Sequence, residues 1–299
     1  MKMIDKKIAI CLLARDSESA LKRNIPKIEK IRKLFRESYV IVIENDSKDN
    51  TKQILKEWQK NSTDIFLQME DTGTKTIPSA NVNGYFPGMT ASRMEKMIRY
   101  RNKYLEFVNK HNEELDYVMI FDSDIYDFDE SSIFNAINNA PDDWCGLFAN
   151  GRYYWKPAFL GLLGKYYDAY CFIPKNAEHK DLTYKEIYLE NDKLCKLLKK
   201  KRYVPCDSAF AGIGIYKYEA IKGKKYEIIK NTRSSVVEVL CDHVSLNLST
   251  ENKGTLYVAK NLKVRYESIN GFGAYFTNLF GNKFFISLWE KTNKKTFFE

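Results

Sequence analysis

Two carboxylates one residue apart close an apolar run at Tyr117-Val-Met-Ile-Phe-Asp122-Ser123-Asp124. Hard divalent cations take oxygen ligands, and a carboxylate pair at a strand end can reach one ion directly or through water. A cation held there neutralises a diphosphate and stabilises it as a leaving group. Acidic turns are common in solvated loops, so the apolar strand in front of the pair carries most of the signal.

Three other groupings could do chemistry. Cys241-Asp242-His243 follows the run 235–240 and so stands at a strand end or a helix start. Its imidazole could complete a metal shell, with Asp242 deprotonating an incoming hydroxyl; a satisfied structural histidine is the competing role. Phe210-Ala211-Gly212-Ile213-Gly214-Ile215 is an apolar strand broken by glycines. That pattern marks either close approach of backbone and ligand or a bulge in the core. Arg15, Arg93, Arg99 and Arg101 carry guanidinium forks that match phosphate oxygens, and Arg15 and Arg101 are the preferred pair. His111 and His179 stand among polar residues and read as surface positions.

The elements that must position these groups follow from hydrophobic period. The first half alternates apolar runs with amphipathic stretches, the pattern of β-α-β units on a mostly parallel sheet. Strands are expected at 7–14, 39–44, 65–69 and 117–121, and helices at 19–35, 51–59 and 93–109. Asp49 or Asn50 is placed to cap the second helix. Each strand ends in a polar loop, and open α/β sheets bind ligands at those carboxyl ends. The loop 71–90 is rich in glycine and proline, and loops of that length are functional or mobile. The second half reads as an aromatic stretch from Tyr153 to Phe172, a charged helix over 182–200, and strands over 210–216, 236–240 and 256–264. One continuous α/β domain over 1–267 is expected, with a donor half to about 125 and an acceptor half after it, followed by an aromatic and basic segment, 268–299.

The chain has 299 residues with 44% hydrophobic content, enough for a packed core, and a formal charge of +9 that suits an anionic partner. The cluster Lys199-Lys200-Lys201-Arg202 reads as a solvated helix end. The six cysteines form no C-x-x-C pair, so reduced, buried thiols are expected. The first apolar run, 8–14, is too short for a signal sequence or a membrane span, which points to a cytoplasmic protein. Aromatics and lysines over 270–299 could seat the chain peripherally on an anionic bilayer; closing the core or joining copies into a homo-oligomer are the alternatives.

Ala14-Arg15-Asp16 after strand one, Glu44-Asn45-Asp46-Ser47 after strand two, and Asp122-Ser123-Asp124 resemble the donor half of GT-A glycosyltransferases. With Arg101-Asn102, Cys206-Asp207-Ser208, Ala211-Gly212-Ile213-Gly214 and Cys241-Asp242-His243-Val244 added, the chain is similar to fungal capsule-associated α-mannosyltransferases and their bacterial and viral relatives. The resemblance implies a GT-A, Rossmann-like sheet and a metal-dependent glycosyltransferase of polysaccharide biosynthesis. It implies a UDP- or GDP-linked sugar donor and a glycan or lipid-linked glycan acceptor. Ala14, Arg15, Glu44, Asp46, Arg101, Asp122, Ser123 and Asp124 would then hold the donor, and Mn2+ or Mg2+ would sit on Asp122, Asp124 and His243. Asp207, Ser208 and Gly212 would face the sugar, with Asp242 and Asp207 as catalytic candidates. A sugar-phosphate nucleotidylyltransferase needs a glycine-rich loop where this chain has Ala14-Arg15-Asp16-Ser17. A non-catalytic binder of glycans or nucleotides is the remaining alternative; no nucleic-acid motif is present.

Overall fold

The segment 8–14 has no polar face, so as a strand it must be covered on both sides. The computed structural model describes residues 3–73, 83–111, 114–154, 163–267, 276–277 and 279–297. In it, β1 (Ile4–Ala14) lies at the centre of a parallel sheet with β2 (Phe35–Asn45), β3 (Ile65–Glu70) and β4 (Tyr117–Asp122), in the order β3-β2-β1-β4. The connecting helices are α1 (Glu18–Arg32), α2 (Thr51–Asn61) and α3 (Ala91–Lys110). Alternate residues of β1 serve opposite layers, as strand geometry requires. Ile8, Ile10 and Leu12 pack with Leu21 and Ile28 of α1 and Leu55 of α2, while Ala9 and Cys11 pack with Tyr100, Tyr104 and Val108 of α3.

After β4 the direction changes. The following elements are β5 (Asp127–Phe128), α4 (Glu130–Asn138), β6 (Trp144–Tyr154), β7 (Leu163–Tyr166), β8 (Ile173–Pro174), α5 (Tyr184–Lys200), β9 (Tyr203–Ser208) and β10 (Ile213–Lys217). Then come α6 (Tyr218–Ile221), α7 (Asp242–Leu248), β11 (Thr255–Glu267) and α8 (Asn282–Asn293). β10 pairs antiparallel with β4 and extends the sheet through β6, β11, β9 and β8. The parallel half therefore meets a mixed half beside β4, and a crevice opens at the carboxyl ends of β1 and β4.

Most expected elements are present with ends shifted by a few residues: the first helix stops at Arg32, and the strand expected over 210–216 starts only at Ile213, after a left-handed turn at Ala211 and Gly212. No strand forms over 236–240: Val236 O accepts from Phe86 N, Glu238 N donates to Met89 O, and Leu240 N donates to Ile229 O. Apart from one antiparallel bridge between Val239 and Lys230, those bonds go to separate segments, so this apolar stretch is a largely buried strap and not a ladder. The aromatic stretch instead begins inside a strand, β6, which needs no polar alternation because it is central. The loop 71–90 holds a short 3-10 turn at Pro87–Met89; 74–82 lies outside the described residues. Asn50 makes no side-chain cap, and Asp49 accepts the Thr51 N–H at 3.0 Å.

All six cysteines are free and buried. Among the described residues no helix is long and apolar enough to cross a membrane. α8 docks on α5 through Asn282, which donates to Tyr188 O and Asp192 Oδ1 at 3.1 Å, and through buried Ile286. Its outer face leaves Phe280, Phe284 and Leu288 about half exposed, at 50%, 49% and 48%.

Candidate active site

At the ends of β1 and β2 the chain turns through Asp16 (φ 45) and Asp46 (φ 53), left-handed positions that aspartate tolerates better than most residues. The two turns are tied together: Ser17 N–H donates to Thr51 Oγ1 at 2.7 Å, Glu18 N–H to Asp49 Oδ2 at 2.9 Å, and Lys48 N–H to Asp16 Oδ1 at 2.7 Å. Beside them a cleft of about 540 Å³ is lined by Ala14, Arg15, Arg101, Asp122, Asp124 and Asp168, among others. A second cleft of about 550 Å³ lies at the opposite end of the strands, around Arg36 and Lys110, away from these carboxylates.

Asp122 is the last residue of β4. Its N–H donates to Gly212 O at 2.9 Å and its Oδ2 accepts from the Tyr266 hydroxyl at 3.2 Å. Gly212 (φ +94) is required there, because a Cβ would collide with that hydroxyl oxygen. Ser123 turns inward, where its hydroxyl meets that of Ser17 at 3.1 Å, so the aspartates on either side both reach the cleft. Burial pushes the Asp122 carboxyl up to about 8, with Asp124, Asp168 and Asp242 adding to it and Arg101 opposing. The Asp124 carboxyl is raised as well, again chiefly by the loss of solvent around it.

Arg101, on α3, links this pair to the start of α7. Its Nε lies 2.5 Å from Asp242 Oδ2, its Nη2 3.7 Å from Asp122 Oδ1, and its Nη1 donates to the Tyr104 hydroxyl at 3.2 Å. Both Arg101 and Asp242 are buried, at 5% and 6% exposure. Burial alone would raise the Asp242 carboxyl, but Arg101 wins and holds it well below the usual carboxylate range. A carboxylate so held is a weak base, so Asp242 positions Arg101, and Arg101 positions Asp122 in place of reaching freely for phosphate. His243 stacks on Phe210 with ring centroids 3.7 Å apart, and its Nδ1 is 3.4 Å from the Tyr226 hydroxyl. Its Nε2 is buried with no hydrogen-bond partner. Burial and Arg101 hold this imidazole neutral, but the expected third metal ligand is not delivered: its nitrogens do not gather within 4.8 Å of both Asp122 and Asp124, because the ring is stacked on Phe210.

Five expected site residues are not brought to the cleft; one of them, Gly212, lies under Tyr266 and supports Asp122 through its carbonyl instead of facing a sugar. Glu44 is fully buried and its Oε1 accepts from Ser47 N–H at 2.9 Å, which fixes the turn after β2. Asp46 accepts from Thr72 N and Gly73 N at 2.6 Å and from the Thr72 hydroxyl at 2.9 Å, so it anchors the chain leaving β3. Asp207 is paired with Lys175, at 3.2 Å, and with Lys180, beside a different and smaller cavity. Ser208 is fully buried and accepts from Asn247 Nδ2 at 2.9 Å. The direction of β9 explains both: its alternating side chains face the α7 layer and the lysine loop, not the carboxyl ends of β1 and β4. Arg99 is exposed and engaged by Glu70 at 3.1 Å.

The cleft also holds groups that sequence reading passed over. Asp168 lies on the turn after β7, accepts a 3.3 Å hydrogen bond from Ala211 N–H, and is raised to about 6 by burial first. Tyr167 beside it stacks on Tyr266 at 3.5 Å and 10°. Arg93, a phosphate candidate from the sequence though not of the preferred pair, also lines the cleft: its Nη1 donates to Gly88 O at 3.0 Å, its Nε is buried and unpartnered, and it makes no ion pair among the described residues. Asp168 sat in plain view within the aromatic stretch, but no strand or motif pointed to it. The carboxyl edge of the β3-β2-β1-β4 sheet thus gathers two adjacent carboxylates and cleft arginines, with an antiparallel strand beside β4.

Comparison with known proteins narrows the class. A family model described as cryptococcal mannosyltransferase 1 matches residues 7–252, and the chain belongs to that family. No curated protein sequence matches it. Among solved structures the fold is similar to the mannosyltransferase PcManGT from Pyrobaculum calidifontis in complex with GDP-Man and Mn2+, at 9% identity and TM-score 0.50, covering 99% of this chain and 66% of that one. It is also similar to S. aureus TarS 1-349 in complex with UDP-GlcNAc, at 12% identity and TM-score 0.45, covering 89% and 59%. A third is glucosyl-3-phosphoglycerate synthase from Mycobacterium tuberculosis with Mn2+, UDP and phosphoglyceric acid, at 10% identity and TM-score 0.40, covering 96% and 78%. The chain thus spans about two thirds of the length of the archaeal structure and less of the staphylococcal one.

Proposed function

We propose that this chain transfers a mannosyl group from a nucleoside-diphosphate donor to a glycan or glycoconjugate hydroxyl, using Mn2+ or Mg2+ bound by Asp122 and Asp124. The observation that carries this reading is the convergence of those carboxylates with Arg15 and Arg93 on one cleft. The two carboxylates fit a cation: burial raises both, and neighbouring carboxylates raise Asp122 further; His243 stays outside their shell, because its nitrogens do not gather with both carboxylates within 4.8 Å. A divalent ion supplies charge neutralisation for a leaving diphosphate. Arg15 and Arg93 take phosphate oxygens, Asp242 and Arg101 hold Asp122 in place, and the stacked Tyr167 and Tyr266 wall the sugar pocket. Asp168, facing the same cleft with no ion-pair partner among the described residues, takes the proton of the acceptor hydroxyl.

The exposed stripe on α8 is assigned to the surface of an anionic membrane, which would keep the enzyme peripheral on the cytoplasmic side. Phe280, Phe284 and Leu288 are flanked by Lys283, Lys291 and Lys294, which complement anionic headgroups. A screen of nucleotide-sugars with Mn2+, read as donor consumption with and without glycan acceptors, tests the catalytic reading. Turnover of a mannosyl donor that vanishes in Asp124→Ala is expected. Consumption of none of them, or full activity in Asp124→Ala, would reject it.

A further inference from the structure

Asp168 and Cys171 share one turn, closed by Cys171 N–H donating to Asp168 O at 3.2 Å. Facing them is Cys241, the residue that leads into α7. One carboxylate oxygen of Asp168 and the Sγ atoms of Cys171 and Cys241 all lie within 4.8 Å of one another. We infer that this trio is a second cation site, for a thiophilic divalent ion of the zinc class, distinct from the all-oxygen D-x-D pair.

Ligand chemistry separates the two sites. Oxygen donors suit manganese and magnesium, whereas thiolates select zinc and its soft relatives. In a tetrahedral zinc site, bonds of about 2.3 Å to sulfur and 2.0–2.2 Å to oxygen put neighbouring donors roughly 3.5–3.8 Å apart. The trio is thus within about 1 Å of ligating distance, reachable by side-chain rotation. The shell behind it is already built. Cys241 Sγ is 3.2 Å from Asp242 Oδ1, and Cys171 Sγ is 3.6 Å from the Ser208 hydroxyl, itself fixed by Asn247 at 2.9 Å. Such outer contacts orient metal ligands. The ion has a route in, because Asp168 and Cys241 line the cleft while Cys171 is fully buried behind them. Binding displaces the two thiol protons to solvent, and three protein ligands leave a fourth position open to the cleft.

The functional consequence is inhibition. Zinc on the trio takes the Asp168 carboxylate and occupies the acceptor side of the cleft without competing for Asp122 and Asp124. This arm rests on the transfer reading above; the binding arm does not.

The test uses the full chain, stripped of metal and kept reduced, with Co2+ as the probe and no nucleotide. One equivalent of Co2+ should give a thiolate-to-cobalt charge-transfer band that Zn2+ abolishes and excess Mn2+ leaves intact. Cys171→Ala should lose the band and about tenfold or more in zinc affinity, while its Mn2+-supported transfer stays at the wild-type level and becomes resistant to zinc. Cys171→Ser, close in size, serves if the alanine variant does not fold. Absence of a thiolate band in the wild type, its persistence in Cys171→Ala, or displacement of cobalt by Mn2+ would overturn the proposal. So would a Cys171–Cys241 disulfide in protein kept under reductant.

Discussion

Replacing Arg101 by Met should destabilise the protein far more than loss of a surface ion pair would. Its Nε lies 2.5 Å from Asp242 Oδ2 and its Nη2 3.7 Å from Asp122 Oδ1, with both members of the Asp242 pair almost wholly buried. Methionine matches the aliphatic stem but leaves Asp242 as an uncompensated charge near Asp122 and Asp168. Breaking a buried pair from one side costs about 3–5 kcal/mol, and exposed pairs are worth about 1 kcal/mol or less. At about 2.1 cal/mol/K of unfolding entropy per residue, a loss of about 3–5 kcal/mol corresponds to a fall in Tm of roughly 5–8 °C. Urea unfolding of Arg101→Met, Asp242→Asn and the double variant gives the coupling directly. The double variant should recover at least half of the loss, because the orphaned charge is then absent. Arg101→Lys should stay well below wild type, since an ammonium cannot serve both carboxylates in a fork. A cost of about 1 kcal/mol or less for Arg101→Met, or a double variant no more stable than the single, would refute the buried-pair argument.

Gly212→Ala should cost about 1–3 kcal/mol for its left-handed backbone alone. It should also weaken Mn2+ binding, because the new methyl group displaces the Tyr266 hydroxyl that donates to Asp122; calorimetric Mn2+ titration measures this. The raised carboxyls set a pH dependence: relative to an unfolded value of about 3.9, Asp122 at about 8 and Asp168 at about 6 favour folding in their protonated form. That contribution is complete below the unfolded value and is lost as pH rises through the folded ones. The Tm of the metal-free protein should therefore fall between about pH 5 and pH 8, and Mn2+, which replaces those protons, should raise Tm more at the upper pH. Phe284→Ser with Leu288→Ser should reduce co-sedimentation with vesicles containing anionic lipid and leave transfer to a soluble acceptor unchanged. Equal sedimentation of both proteins, or a shift from dimer to monomer in the variant, would assign the α8 face to another partner.

The parallel half of the sheet was legible because its strands are covered on both faces and its helices are amphipathic, so period and length agree. The D-x-D was legible because an apolar run delivers its carboxylates to a strand end. The strap over 236–240 misled because an apolar run records burial, not the hydrogen-bond partner, and here the partners lie on separate segments. Asp207 and Ser208 fall on β9, a strand the hydrophobic pattern did not mark, and since neighbours on a strand face opposite layers, sequence alone does not say which layer holds the cleft. Asp168 was missed for the complementary reason: it sits on a turn with no period of its own, and only the return of β10 beside β4 brings it to the cleft.

Asp122 and Asp124 are proposed to hold a cation that in turn holds a diphosphate. Calorimetric titration of GDP and UDP into wild-type protein and Asp124→Ala, each with and without Mn2+, tests it most directly. Binding of at least one nucleotide only when Mn2+ is present, and loss of that binding in Asp124→Ala with thermal stability retained, is the expected result. Equal binding with and without the metal, or undiminished Mn2+-dependent binding in the folded variant, would contradict it.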